Sequence, residues 1–142
     1  MNFGAINWLA VVVCVLVIMV IGSLWFNPKT FFPVWWKAIG KSGDAVPGMQ
    51  GAMGMTWGLV VLSAVVQAIS MAFMVSAIGT AMPGGVTLVS GALTGFMLWL
   101  GFVATTSLTN KLFAGHLKAW AIEAGNHLVN FIVIGAILGA WR

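Results

Sequence analysis

Glu123-Ala124-Gly125-Asn126-His127-Leu128-Val129-Asn130 lies inside an apolar run, Trp120 to Trp141, that reads as a membrane-spanning helix. At about 100° per residue, Glu123, Asn126, His127 and Asn130 share roughly one 100° arc. Polar groups in a bilayer segment are costly and need partners. Ala121, Gly125, Gly135 and Gly139 lie on a face roughly 150° away. One side of this helix therefore offers hydrogen bonds and the other offers close backbone approach. Such a helix is expected to be packed on both sides.

The rest of the 142-residue chain agrees. It is 61% hydrophobic and 6% charged, with a mean hydropathy of +1.08. Soluble domains carry about 25% charged residues, so the composition argues against one. At ~20 residues per crossing the length holds four spans and short loops. The expected fold is all-α: an integral membrane bundle of four transmembrane helices in a single domain, residues 1–142. The spans are expected at roughly 6–26, 52–77, 86–108 and 120–141.

The first span, Ile6 to Phe26, is about 31 Å long by helix rise, close to the hydrocarbon thickness. No basic residue precedes it and no small-residue cleavage site follows, so it reads as a retained helix rather than a signal peptide. Asn27-Pro28 ends it, because proline disfavours helix at the residue before it. Lys29 to Lys41 is too short and too charged to span. It reads as an interfacial segment between the first two helices, with Lys29, Trp35, Trp36, Lys37 and Lys41 in contact with lipid headgroups. Residues 42–48 read as a polar turn.

The second span has a small-residue stripe (Gly51, Gly54, Gly58, Ala68, Ala72, Ser76) and a polar stripe (Thr56, Ser63, Gln67, Ser70) opposite it. Gly79 to Gly85 reads as a hairpin turn. Thr87, Gly91, Thr94, Gly95, Gly101 and Thr105 share one face of the third span. Asn110, Lys111, Gly115, His116 and Lys118 are assigned to the loop that follows.

The net charge of +4 comes from scattered lysines with no nucleic-acid motif, so no nucleic-acid partner is expected. Five of the six basic residues fall in the loops after spans one and three. The basic-residue rule then puts both lysine loops in the cytoplasm and both termini outside. Topology rules alone point to a bacterial inner (cell) membrane.

Three GxxxG pairs occur: Gly54–Gly58, Gly91–Gly95 and Gly135–Gly139. Helices in lipid associate by van der Waals packing of small residues, so these pairs imply tight contacts, within one chain or between chains. The polar positions Ser63, Gln67, Glu123, Asn126, His127 and Asn130 are the candidate functional stripe. A neutral histidine satisfied by Gln67, Asn126 or Asn130 is the plain reading of His127; a proton relay or ligand is the sharper one. Lys118 or Lys111 is the expected partner of Glu123. The lone Cys14 and the two histidines match no metal or haem spacing, and no metal or cofactor is assigned. A single histidine as axial ligand of a chlorin or haem is left open.

Asn7-Trp8-Leu9-Ala10, Gly22-Ser23-Leu24-Trp25-Phe26-Asn27-Pro28, Leu100-Gly101-Phe102 and Leu112-Phe113-Ala114-Gly115, followed by Trp120, Gly125, Gly135 and Trp141, resemble the domain-of-unknown-function 1761 family. The resemblance covers nearly the whole chain and implies a small four-helix integral membrane protein. In that family a tyrosine often follows the tryptophan. Here Phe26 stands there, which removes a hydroxyl and weakens a catalytic role for that spot. The family brings no activity with it.

Two functions follow from the residues. The first is a non-enzymatic protein acting by helix packing, as a homo-oligomer or with other membrane subunits, among membrane lipids. The alternative is a small transporter or channel for an uncharged solute, lined by Ser63, Gln67, Asn126, His127 and Asn130. No nucleotide loop or nucleophile motif supports an enzyme.

Overall fold

A helix in lipid must satisfy its own backbone, and the chain does so four times over. The computed structural model describes Gly4, residues 6–43 and residues 52–141, and no strand occurs among them. Six α-helices run in the order α1 (Trp8–Trp25), α2 (Phe32–Ala38), α3 (Met53–Ala81), α4 (Leu88–Leu98), α5 (Thr105–Phe113) and α6 (Leu117–Ala140). A π-helical segment, Trp99–Ala104, joins α4 to α5 without a break. Four continuous helical stretches are thus long and apolar enough to cross a membrane: Trp8–Trp25, Met53–Ala81, Leu88–Phe113 and Leu117–Ala140.

Local chemistry sets the ends. Asn7 Oδ1 accepts the backbone N–H groups of Leu9 and Ala10 at 3.1 and 3.2 Å, capping α1. At the other end the Thr30 hydroxyl lies 2.7 Å from the carbonyl oxygens of both Leu24 and Trp25, over the last turn. Thr87 and Ser90 form a capping box at the start of α4.

Two boundaries differ from the sequence reading. α3 runs on through Ile78-Gly79-Thr80-Ala81, because the first residues that force a reversal are Pro83 and the positive-φ glycines Gly84 and Gly85. Asn110 and Lys111 belong to α5 rather than to a loop. No glycine or proline interrupts Thr105–Phe113, and a lysine suits the negative end of a helix. Lys118 likewise belongs to the first turn of α6, so the loop shrinks to residues 114–116, turned by Gly115 at φ +72°. The segment expected at the interface contains the short helix α2. Beyond Gly43, the turn expected at 42–48 lies outside the described residues, as does Gly51.

The closest packing is between α4 and α6, which run antiparallel. A Cβ built on Gly91 would fall on the Gly135 carbonyl oxygen, and one on Gly95 on that of Phe131. A Cβ on Gly135 would meet the Gly91 carbonyl and one on Gly139 the Thr87 carbonyl. The obstacles are backbone atoms, so no rotamer change relieves them. Two of the three GxxxG pairs are therefore consumed against each other. A Cβ on Gly54 or Gly58 would have no neighbour within 4 Å among the described residues.

On its other side α6 meets α1 and α3. Ala10, Cys14, Ala68, Met71, Val75, Ile134 and Leu138 form a buried cluster there. Leu9, Val12, Leu16, Val20 and Leu24 recur along α1 on the exposed face, as expected for a surface that meets lipid.

Tryptophans tie the remaining elements to four consecutive residues of α6. Trp25 Nε1 of α1 donates to the Ile122 carbonyl at 3.0 Å. Trp35 Nε1 of α2 donates to Glu123 Oε1 at 2.7 Å, and Lys111 Nζ of α5 reaches the same oxygen at 2.8 Å. Trp99 Nε1 donates to the Ala124 carbonyl at 2.9 Å. Gly125 leaves room for the Trp25 ring: a Cβ there would lie 3.1 Å from Trp25 Cζ2. In the reverse sense, Trp120 Nε1 of α6 lies 3.2 Å from the Ala104 carbonyl at the end of the π segment. An indole N–H has no water to turn to in hydrocarbon, and for Trp25, Trp35, Trp99 and Trp120 these carbonyls and this carboxylate replace it; the buried Trp36 Nε1 has no partner among the described residues.

Gly95→Val is expected to destabilise the bundle by about 3 kcal/mol through overpacking against backbone. Gly58→Ala, where space is open, is expected to leave stability unchanged or raise it by up to about 1 kcal/mol through helix propensity. Thermal unfolding in mild detergent compares the two, and equal effects would contradict the α4–α6 contact. At the collar, Glu123→Gln retains an oxygen for Trp35 but loses the ion pair, which is 27% and 23% exposed on its two sides. Partial exposure holds that loss to about 1 kcal/mol, whereas Glu123→Ala should cost about 2 because the Trp35 indole is also stranded. The same unfolding assay reads the order, and Glu123→Ala no worse than Glu123→Gln would discount the indole bond.

Candidate functional site

The α6 stripe divides in two. Glu123 turns toward α2 and α5, where Trp35 and Lys111 hold it. Of the two partners expected from the sequence, Lys111 is the one that pairs; it lies one helix away across the tight 114–116 turn. Asn126, His127 and Asn130 turn the other way and wall a cavity of about 760 Å³ between α1, α3 and α6.

That cavity brings parts of both polar stripes together, without Ser70 and Glu123. Ser63 and Gln67 of α3 line it alongside Asn126, His127 and Asn130 of α6, with Thr56 nearer the start of α3. The end of α1 supplies Gly22, Ser23, Phe26, Asn27 and Pro28, next to the lysine-bearing segment. Ile18, Met19, Leu59 and Val60 supply apolar wall. From Thr56 to Gln67 is eleven residues, about 17 Å of helix rise, so the cavity reaches from near the start of α3 to its middle.

The lining is mostly apolar surface that carries several polar side chains, and among the described residues it holds no Asp, Glu, Lys or Arg. Asn130 Nδ2 donates to Asn126 Oδ1 at 3.1 Å, as i, i+4 neighbours can. Asn126 is 6% exposed and Asn130 is 2% exposed. Asn126 Nδ2 and Asn130 Oδ1 have no partner among the described residues. Turning both amides over exchanges their roles but still leaves one donor and one acceptor unpaired. Each such group costs about 1–3 kcal/mol. His127 is exposed at the cavity wall, and no hydrogen bond joins it to a hydroxyl or carboxylate among the described residues. Nor do three His, Cys, Asp or Glu side chains come together among them. The arrangement suits holding a neutral molecule by hydrogen bonds. Among the described residues, no hydrogen bond joins Ser63 to His127, which share the lining.

The other singled-out residues are placed as follows. Lys29, Lys37 and Lys41 are exposed. Trp35 is half-buried on Glu123, and Trp36, expected at the lipid surface, is buried at 9% exposure. Its ring stacks on Phe32 with centroids 5.4 Å apart, on the side of α2 turned away from Phe31 and Val34, which are exposed. Gly91, Gly95, Gly135 and Gly139 form the α4–α6 contact, away from the cavity. The sequence reading missed Gly22 and Ser23 as wall residues. Their small size at the end of an otherwise bulky α1 was the available signal.

No curated protein and no solved structure matches the chain. A family model described as a protein of unknown function (DUF1761) matches residues 9–139, nearly the whole sequence. With its four apolar helices and this match from α1 to the end of α6, the chain belongs to the DUF1761 family.

Proposed function

We propose that this is a non-enzymatic membrane protein that takes an uncharged, hydrogen-bonding solute into the α1–α3–α6 cavity, as a small carrier or channel. One observation carries the reading. Five polar residues from two helices, Ser63, Gln67, Asn126, His127 and Asn130, wall a single cavity, and two of them keep a donor and an acceptor unpaired. The two unpaired atoms are themselves buried, so a hydroxyl, an amide or a protonated acid meets Ser63, Gln67 and His127 first and reaches both complements only as the wall parts. A formal charge would enter without a counterion, since the lining has none. By the basic-residue rule the rim beside Asn27 and Pro28 faces the cytoplasm, in a bacterial inner membrane.

Assembly with a second copy or another membrane subunit is a second reading, favoured by the open small-residue face at Gly54 and Gly58. It draws less support than the three GxxxG pairs did in the sequence, because two of them are occupied within the chain.

Cysteines at Ser63 and Gln67, in a Cys14→Ala background, are expected to react with a membrane-impermeant maleimide applied at the cytoplasmic face. Cysteines at Leu62 and Val66, on the lipid-facing side of the same helix, are expected to stay unlabelled. Labelling only from the other face would reverse the orientation, and no labelling would make the polar stripe a dry structural network. The double variant Asn126→Leu/Asn130→Leu sharpens the distinction. Removing both amides relieves the unpaired groups, so its stability should match or exceed the parent by about 1–2 kcal/mol. A loss of that size would instead mark the pair as structural.

A further inference from the structure

We propose that the cleft between α2 and the start of α6 binds the phosphate headgroup of an anionic phospholipid, clamped by Lys37 and Lys118. The cleft, of about 450 Å³, is lined by Pro33, Val34, Lys37, Ala38 and Lys118. Its two cations come from separate elements: Lys37 stands in the last turn of α2 and Lys118 in the first turn of α6. α2 is pinned to α6 by the Trp35–Glu123 bond, so the two lysines are brought to one cleft before any ligand arrives.

Charge balance asks for an anion. The sequence holds two acidic residues. Glu123 is taken by Lys111 and Trp35, and Asp44 lies outside the described residues. No described acid pairs with Lys37 or Lys118. The N-terminus of the 24-residue α6 carries no side-chain cap, and its partial positive charge adds to the same end.

The rest of the lining asks for a lipid rather than a free anion. Pro33, Val34 and Ala38 are apolar, and Val34 on the same short helix and Phe31 just before it are exposed. A phosphodiester set between the lysines leaves its glycerol and acyl chains against these side chains, at the depth where an interfacial helix lies. The sequence reading gave a headgroup contact through Lys29, Trp35, Trp36, Lys37 and Lys41. The structure separates Lys37 from the other two lysines and pairs it with Lys118.

The test uses the full-length protein, delipidated in neutral detergent and titrated with phosphatidylglycerol or phosphatidylcholine under native mass spectrometry. One phosphatidylglycerol should bind at least about tenfold more tightly than phosphatidylcholine, following the attraction of two near-surface lysines. Lys37→Gln/Lys118→Gln should abolish that preference. Lys37→Arg/Lys118→Arg should keep it, which separates lost charge from lost fold. Lys29→Gln/Lys41→Gln should also keep it. Equal losses in the two glutamine variants would show diffuse surface attraction and overturn the site. Displacement of the lipid by inorganic phosphate at equal concentration would show a free-anion site and overturn the lipid assignment.

Discussion

The backbone contact between α4 and α6 is the constraint on which the other placements depend. Lipid tails are as apolar as leucine, so burying leucines between helices gains little in a bilayer, and close packing must supply the attraction. Gly91 and Gly95 set against Gly135, Gly139 and the Phe131 carbonyl bring the two backbones together along that seam. With one face of α6 committed, its opposite face is left for α1 and α3. That face carries Asn126, His127 and Asn130, so the polar stripe ends inside the bundle rather than against lipid.

The second constraint is the collar of indoles around residues 122–125. It holds the lysine-bearing ends of α1, α2 and the π segment to α6 by directional bonds rather than by bulk. Trp25 fixes the end of α1 on the Ile122 carbonyl. Toward the other end, α1 is held by the Ala10, Cys14, Ala68 and Met71 cluster. Between these two attachments the small Gly22 and Ser23 line the same open space as Thr56 and Ser63. The cavity is thus framed by a dense apolar contact on one side and an indole hydrogen bond on the other. The glycine seam lies behind it.

Much of this was legible in the sequence. Hydropathy alone placed the four spans, because a 20-residue apolar run has few other outlets. Helical spacing grouped Ser63 with Gln67 and Asn126 with His127 and Asn130, since residues on one face remain on one face in any straight helix. What periodicity omits is which neighbour a face meets. Gly54–Gly58 and Gly91–Gly95 are the same pattern, yet one is open and the other is in backbone contact. Glu123 shared an arc with the cavity residues but is drawn out of it by Trp35 and Lys111, a tertiary choice. Trp36 read as a lipid anchor from its neighbours, while the orientation of α2 turned it inward. Boundaries moved where a helix met no breaker, as at Asn110 and Lys111.

The unpaired amide atoms bear on why the cavity persists. A bundle selected only for packing would place leucine at 126 and 130, since a matched apolar pair removes two unsatisfied groups without opening a void. The chain instead sets two asparagines at i, i+4, lets them satisfy one atom each, and lines the adjoining space with Ser63, Gln67 and His127. It also diverts its one described carboxylate away from that space. On the proposed reading, polar side chains set in a mostly apolar wall without Asp, Glu, Lys or Arg among the described residues discriminate by polarity and by charge together: an apolar guest leaves those side chains without partners, and an ion meets no counterion. On that reading, the molecule that offers both a donor and an acceptor with no net charge is the one for which the arrangement costs least.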